Sequence, residues 1–179
     1  MKKKIIALML ASLFLVSCGK KEETKTTEST KTEEKKEEKK KDNIGFDGKV
    51  AELNDLKIEI IDYKIIKVGE KGNEYGSKPI IAFWYNTTNK SDKEIDPSIA
   101  WLSVFTAIQD NNKNMVNELK VAAHPDFSLL DTQNAKIKKG GTVKNAFAYE
   151  LSDETTPVTL KATQGMDGKD LGQKNFEVK

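Results

Sequence analysis

The sequence predicts an all-β fold, an antiparallel β-sandwich of about seven strands. Three observations predict it. From about Gly48 onward, short runs alternate apolar with polar residues at a period of two. Clusters of Gly, Asn, Asp, Ser and Pro separate those runs. No helical period of ten or more residues interrupts them. Ahead of this region a signal peptide is expected over residues 1–17 and a polar tether over 18–47, on grounds given below, so the folded domain is expected over 48–179.

The strands follow in order. Leu56, Ile58 and Ile60 alternate with Lys57, Glu59 and Ile61, and the phase slips after Ile60-Ile61. Such a slip marks a bulge or a strand changing sheets. Pro79 to Thr88 is apolar on both faces as far as Tyr85, the pattern of a central strand. Ala100, Leu102, Val104, Thr106 and Ile108 make one face of the next strand; Trp101, Ser103, Phe105 and Ala107 make the other. Val143, Phe147, Tyr149 and Leu151 alternate with Lys144, Ala146, Ala148 and Glu150. Val158, Leu160 and Ala162 alternate with Thr159, Lys161 and Thr163, and Phe176 and Val178 close the chain. The stretch Met115–Asn134 is compatible with a strand, a short helix and a loop.

Composition excludes several chemistries. The chain has 179 residues, one Cys and one His. Its 30 basic residues are all Lys. One Cys rules out an intrachain disulfide or a Cys-based metal site. One His rules out a multi-His site, and the lack of Arg rules out bidentate guanidinium clamps. Net charge is +2, but residues 43–179 alone carry 18 Lys against 20 acids. No clustered basic patch remains, so no nucleic-acid partner is expected.

The first 18 residues hold Lys2-Lys3-Lys4, an apolar run from Ile5 to Val16, and then Ser17-Cys18. That run is too short to cross a bilayer, which needs about 20 apolar residues. Its length and flanks fit a secretory signal. Leu15-Val16-Ser17-Cys18 resembles the lipobox of bacterial lipoprotein signal peptides. The resemblance implies cleavage before Cys18 and covalent attachment of diacylglycerol and acyl lipid, such as palmitate, to Cys18. No other cofactor is expected. Two or more acyl chains anchor a protein stably, because each buried methylene contributes about 0.8 kcal/mol. The expected partner is thus the membrane itself, on the outer side of the cell membrane, or the outer membrane if the host has two.

Residues 19–42 contain no aliphatic or aromatic residue. Such a segment cannot bury enough apolar surface to repay its ordering entropy. Like-charge pairs at i,i+4, such as Glu33/Glu37 and Lys35/Lys39, weaken the rival helix. A disordered spacer with transient helix near 33–41 is expected, spanning roughly 25–30 Å on average.

Candidate chemistry is sparse. His124 stands two residues from Asp126, yet no G-x-S-x-G motif accompanies them. Asp110 to Asn114 opens like a calcium loop, but Met115 replaces the turn Gly and Val121 the bidentate Glu. Asp167-Gly168-Lys169-Asp170 is a similar fragment with a Lys in the middle. Asp92/Glu94/Asp96 and Asp153-Glu154 read as solvated turn acids. Asn86-Thr87-Thr88 and Asn89-Lys90-Ser91 fit a glycosylation sequon but read as strand-end and turn residues. Trp84, Tyr85, Trp101 and Phe105 are either core aromatics or members of a binding surface, with Trp84, Tyr85 and Trp101 the candidates for the latter.

Gly76-Ser77-Lys78-Pro79-Ile80-Ile81 leads into Tyr85-Asn86-Thr87-Thr88-Asn89-Lys90-Ser91-Asp92. Gln109-Asp110, Ile137 to Gly140, Ala148 to Leu151 and Asp153 to Leu160 follow in order. This series resembles the bacterial lipoprotein domains grouped as domain of unknown function 5067. Asn111 departs from the Gly expected after Gln109-Asp110, and Asn tolerates the same turn. The resemblance implies an immunoglobulin-like sandwich on a lipid tether and transfers no functional residues. The leading expectation is a non-catalytic envelope lipoprotein that binds an envelope or extracellular partner. The alternatives are a small enzyme, or its accessory subunit, acting on envelope polymers, and a ligand-capturing lipoprotein serving a transporter.

Overall fold

The computed structural model describes residues 44–179. The signal peptide, Cys18 and residues 19–42 of the tether lie outside the described residues. Eight strands form two antiparallel sheets. The larger sheet joins β1 (Gly45–Phe46), β2 (Val50–Glu52), β3 (Leu56–Ile66), β4 (Ile80–Asn89) and β6 (Thr142–Glu150), in that order. The smaller joins β5 (Phe105–Gln109), β7 (Val158–Thr163) and β8 (Asp170–Phe176). The fold is the expected sandwich, with strand β4 an interior strand of its sheet, paired with β3 on one side and β6 on the other.

Local sequence explains most of the elements. Asp47-Gly48 makes the first hairpin: the Asp47 carboxylate accepts from the Lys49 and Val50 N–H groups, and Gly48 takes φ +93°. This hairpin begins at Gly45, ahead of the composition change at Gly48, and contributes the buried Phe46. The phase slip in β3 is a bulge between Ile60 and Asp62 that leaves Ile61 facing solvent. Ile58, Ile81, Phe83 and Tyr85 of the larger sheet meet Phe105, Val158, Leu160 and Phe176 of the smaller one in a single core.

One element corrects the sequence reading. Pro97–Val104 is an α-helix, α1, and the strand starts only at Phe105. The Asp96 side chain accepts from the Ser98 and Ile99 N–H groups, and Pro97 sits in the first turn. The buried residues Pro97, Ala100, Trp101 and Val104 recur at i, i+3, i+4 and i+7, a helical period. The apparent two-residue alternation fails because Leu102 is exposed whereas Trp101 is fully buried.

Segment 117–122 joins the two sheets at one side. The Leu119 N–H donates to the Ala107 carbonyl at 2.8 Å, covering the free edge of β5. The Ala122 N–H then donates to the Ala148 carbonyl at 2.9 Å, covering the edge of β6. Both otherwise open strand edges are thereby paired. A short 3-10 helix, Phe127–Thr132, follows and packs beside β6.

Candidate functional site

The four aromatic residues divide between the core and the outer face of the larger sheet. Tyr85 points inward from β4, and Trp101 points inward from α1. Their rings lie 4.4 Å apart, with Phe105 4.6 Å from Trp101. The Trp101 indole donates to the Tyr149 hydroxyl at 2.9 Å, and the Tyr85 hydroxyl donates to the Pro97 carbonyl at 3.2 Å. Burial pushes both tyrosines above the ordinary phenol range. Tyr85, Trp101 and Phe105 are therefore core residues, which corrects the candidacy of Tyr85 and Trp101 for a binding surface.

Trp84 takes the opposite face of β4. Its indole donates to the Asp126 carboxylate at 2.9 Å. Asp126 also accepts from the Ser128 hydroxyl at 2.6 Å and from the Ser128 N–H. The Ser128 hydroxyl, then Trp84, hold this carboxyl below its usual range. The pair pins the start of the 3-10 helix onto the outer face of the larger sheet.

His124 belongs to the same wall. Its Nε2 lies 3.0 Å from Asn145 Oδ1, and its Nδ1 accepts the Asp126 N–H at 3.2 Å. Asn145, fully buried, continues the chain to the Ser98 hydroxyl at 3.3 Å. That hydroxyl in turn donates to the Gln133 carbonyl at 2.7 Å. Ser98 and His124 are thus separated by Asn145 and do not touch, so no Ser-His pair forms there.

Beside His124 lies a cleft of about 310 Å³ on the outer face of the larger sheet. Its two walls are the loop 72–78 and the segment 122–127, with Ile80 and Glu150 between them. The two segments meet where Gly72 approaches Pro125. A Cβ on Gly72 would stand 2.3 Å from the Pro125 carbonyl oxygen, and Gly72 takes φ +92°. The buried Asn73 amide donates to the Ile66 and Lys78 carbonyls at 3.2 and 2.8 Å, which closes the loop on itself. On this fixed loop Tyr75 is 96% exposed, and across the cleft Phe127 is 57% exposed. An exposed large aromatic on a braced loop is an informative departure from ordinary surface composition.

Tyr75 and Phe127 are the residues that sequence reading missed. Tyr75 stands among Gly, Asn and Glu in a stretch that reads only as a turn. Phe127 follows His-Pro-Asp, where the Asp126 N-cap was the available signal of a short helical start.

The other singled-out residues are placed as follows. Asn111 donates to Ser152 Oγ and Asp153 Oδ2 at 2.7 and 2.6 Å, so the D-x-N-x-N stretch is tied to a neighbouring turn. Asp92 pairs with Lys139 at 2.7 Å, and Asp96 caps α1. Asp167 takes a positive φ of 59° in its turn. Asn89 of the second sequon is fully buried and donates to the Lys93 and Ile137 carbonyls. Among the described residues no three His, Cys, Asp or Glu side chains gather into a metal-holding group.

The family model for the domain of unknown function DUF5067 matches residues 20–164. The chain belongs to this family. Among solved structures it is similar to one from Staphylococcus aureus described as "a putative lipoprotein". Identity is 25%, the TM-score is 0.62, and the match covers 76% of this chain and 92% of that one. No curated protein matches the chain. A member of this family thus combines the sandwich with the aromatic cleft described above.

Proposed function

We propose that this family member is a lipid-anchored envelope protein whose sandwich is a non-catalytic binding domain. Cys18 carries the lipid, the following segment is the spacer, and the domain meets its partner in the envelope or outside the cell. The observation that carries the reading is the likeness, at 25% identity, to a structure described as a putative lipoprotein. The lipobox-like Leu15-Val16-Ser17-Cys18 supports it from this chain's own residues. The binding role is supported by the cleft, where Tyr75 and Phe127 face solvent from braced loops. The domain then stands on the outer side of the cell membrane, or at the outer membrane of a two-membrane host.

Fractionation of Cys18→Ala tests the anchor. The variant is expected in the soluble fraction, without incorporated palmitate, whereas the unaltered chain sediments with membranes. Retention of the variant on membranes would sink the anchor reading. Capture of envelope components by the mature, lipid-free chain tests the binding role. Tyr75→Ala should lower that capture without lowering thermal stability, and equal capture by both chains would exclude the cleft.

A further inference from the structure

A second surface runs along the solvent side of α1, from the turn between β2 and β3 to the strands β5 and β7 of the smaller sheet. Two hollows of about 670 and 640 Å³ share Ser103 and Val104 and so run into one groove. Its exposed apolar lining comes from Ile99, Leu102, Val116 and Met166. All four are exposed, Val116 at 69% and Met166 at 84%. Isolated exposed apolar residues are normal, but several lining one groove mark an interaction surface.

The rim is acidic. Asp55 and Glu94 border the first hollow, and Glu118 and Asp167 border the second. Asp96 also lines the first, but its carboxylate is buried in capping α1. Two lysines share the groove, and each already faces a carboxylate. Lys136 lies 3.8 Å from Asp96, and Lys161 lies 3.7 Å from Asp170. The groove therefore offers exposed apolar side chains within a negative border.

That combination selects the occupant. Residues 19–42 of the chain itself carry no aliphatic or aromatic side chain to set against these apolar residues. A second copy docked face to face would set acid against acid. Anionic lipid headgroups would be repelled in the same way. We propose that this groove docks a basic amphipathic segment of a partner protein, its apolar side seated on Leu102, Val116 and Met166 and its cations on Glu94 and Glu118. The inference rests on the binding-domain reading but uses a face separate from the Tyr75 cleft, and its test does not involve the lipid.

The experiment titrates the mature chain carrying Cys18→Ser with a short amphipathic Leu/Lys peptide and with its Leu/Glu twin, following backbone amide resonances. The Leu/Lys peptide is expected to shift groove resonances and to bind at least about tenfold more tightly than the twin. Leu102→Ser, and Glu94→Lys with Glu118→Lys, should each weaken that binding about tenfold, and added salt should weaken it further. The Leu102 and glutamate side chains are exposed, so melting temperatures should hold and report an intact fold. Equal affinity for the two peptides, or unchanged affinity in both variants, would overturn the proposal. So would concentration-dependent dimerisation, or binding to anionic vesicles, that Leu102→Ser abolishes. Loss of capture at the Tyr75 cleft would leave this result untouched, so the two readings fail separately.

Discussion

The fully buried side-chain amide of Gln109 donates to the main-chain carbonyl of Asp153 at 3.0 Å. The same amide nitrogen donates to the Thr156 carbonyl at 2.7 Å, and Oε1 accepts the Ser152 N–H at 2.7 Å. One side chain at the end of β5 thus closes the turn that leads into β7. Two other buried amides work alike. Asn73 closes the loop 66–78, and Asn89 fastens Lys93 and Ile137 to the end of β4. These amides organise turns that have little apolar surface of their own.

Gln109→Leu should therefore destabilise the domain despite its greater hydrophobicity. It leaves the Asp153 and Thr156 carbonyls and the Ser152 N–H without their buried partner. Each unsatisfied buried group costs about 1–3 kcal/mol, so a loss of about 3 kcal/mol is expected overall. Urea unfolding at neutral pH measures it, and a midpoint equal to that of the unaltered chain would refute the assignment.

The same turn makes stability depend on pH. The Thr156 N–H, then the Asn111 amide and the Thr155 N–H, hold the Asp153 carboxyl well below its usual range. Asp126 and Asp47 are lowered as well, Asp126 chiefly by the Ser128 hydroxyl and Asp47 by the Val50 N–H. A carboxyl with a depressed native pKa binds fewer protons folded than unfolded, so stability rises with pH through that window. The contribution is complete above the unfolded value near 4 and fades as pH falls through the native value. Unfolding midpoints should be flat from neutral pH to about pH 5 and drop toward about pH 2. Asp153→Asn should flatten that acid limb; an acid limb as steep as that of the unaltered chain would contradict the turn's role.

Thr87 offers the opposite effect. It points inward from β4, fully buried, and its hydroxyl has no hydrogen-bond partner among the described residues. Its cross-strand neighbours are Ile58 and Val143. Thr87→Val replaces an unsatisfied hydroxyl with a methyl group of similar shape. It should stabilise the domain by about 1 kcal/mol, read as a raised unfolding midpoint.

Legibility in the sequence followed the physics of each element. The β3 bulge was visible because a phase slip at Ile60-Ile61 shifts which residues face the core. Strand β4 was visible because its unbroken apolar run fits burial on both faces. Helix α1 was hidden because eight residues give barely two turns, and Ala100, Leu102 and Val104 mimic strand alternation. Only Asp96-Pro97 announced it. The cleft was less legible still. It depends on Gly72 meeting Pro125 across a gap of 53 positions, a contact that no local pattern encodes. Tyr75 looked like a turn residue because its exposure, and not its neighbours, distinguishes it.

His124, the one histidine, decides between a structural and a reactive reading of the cleft wall. The Asp126 N–H points at Nδ1, so that nitrogen carries a lone pair and not a proton. The proton then sits on Nε2 and is donated to Asn145 Oδ1, which also accepts the Ala146 N–H. Asn145 is oriented by these two donors, and its nitrogen faces the Ser98 hydroxyl. A general base would need its lone pair directed at a substrate or a nucleophile. Here the lone pair is engaged by the backbone, and the ring orders the segment that carries Phe127. Imidazole nitrogen shifts at neutral pH should report the Nε2–H tautomer. His124→Ala should cost about 1 kcal/mol and broaden the Phe127 resonances, while His124→Gln, which can still donate to Asn145, should recover part of both. Observation of the Nδ1–H tautomer, or of stability unchanged in His124→Ala, would remove His124 from the framework of the cleft.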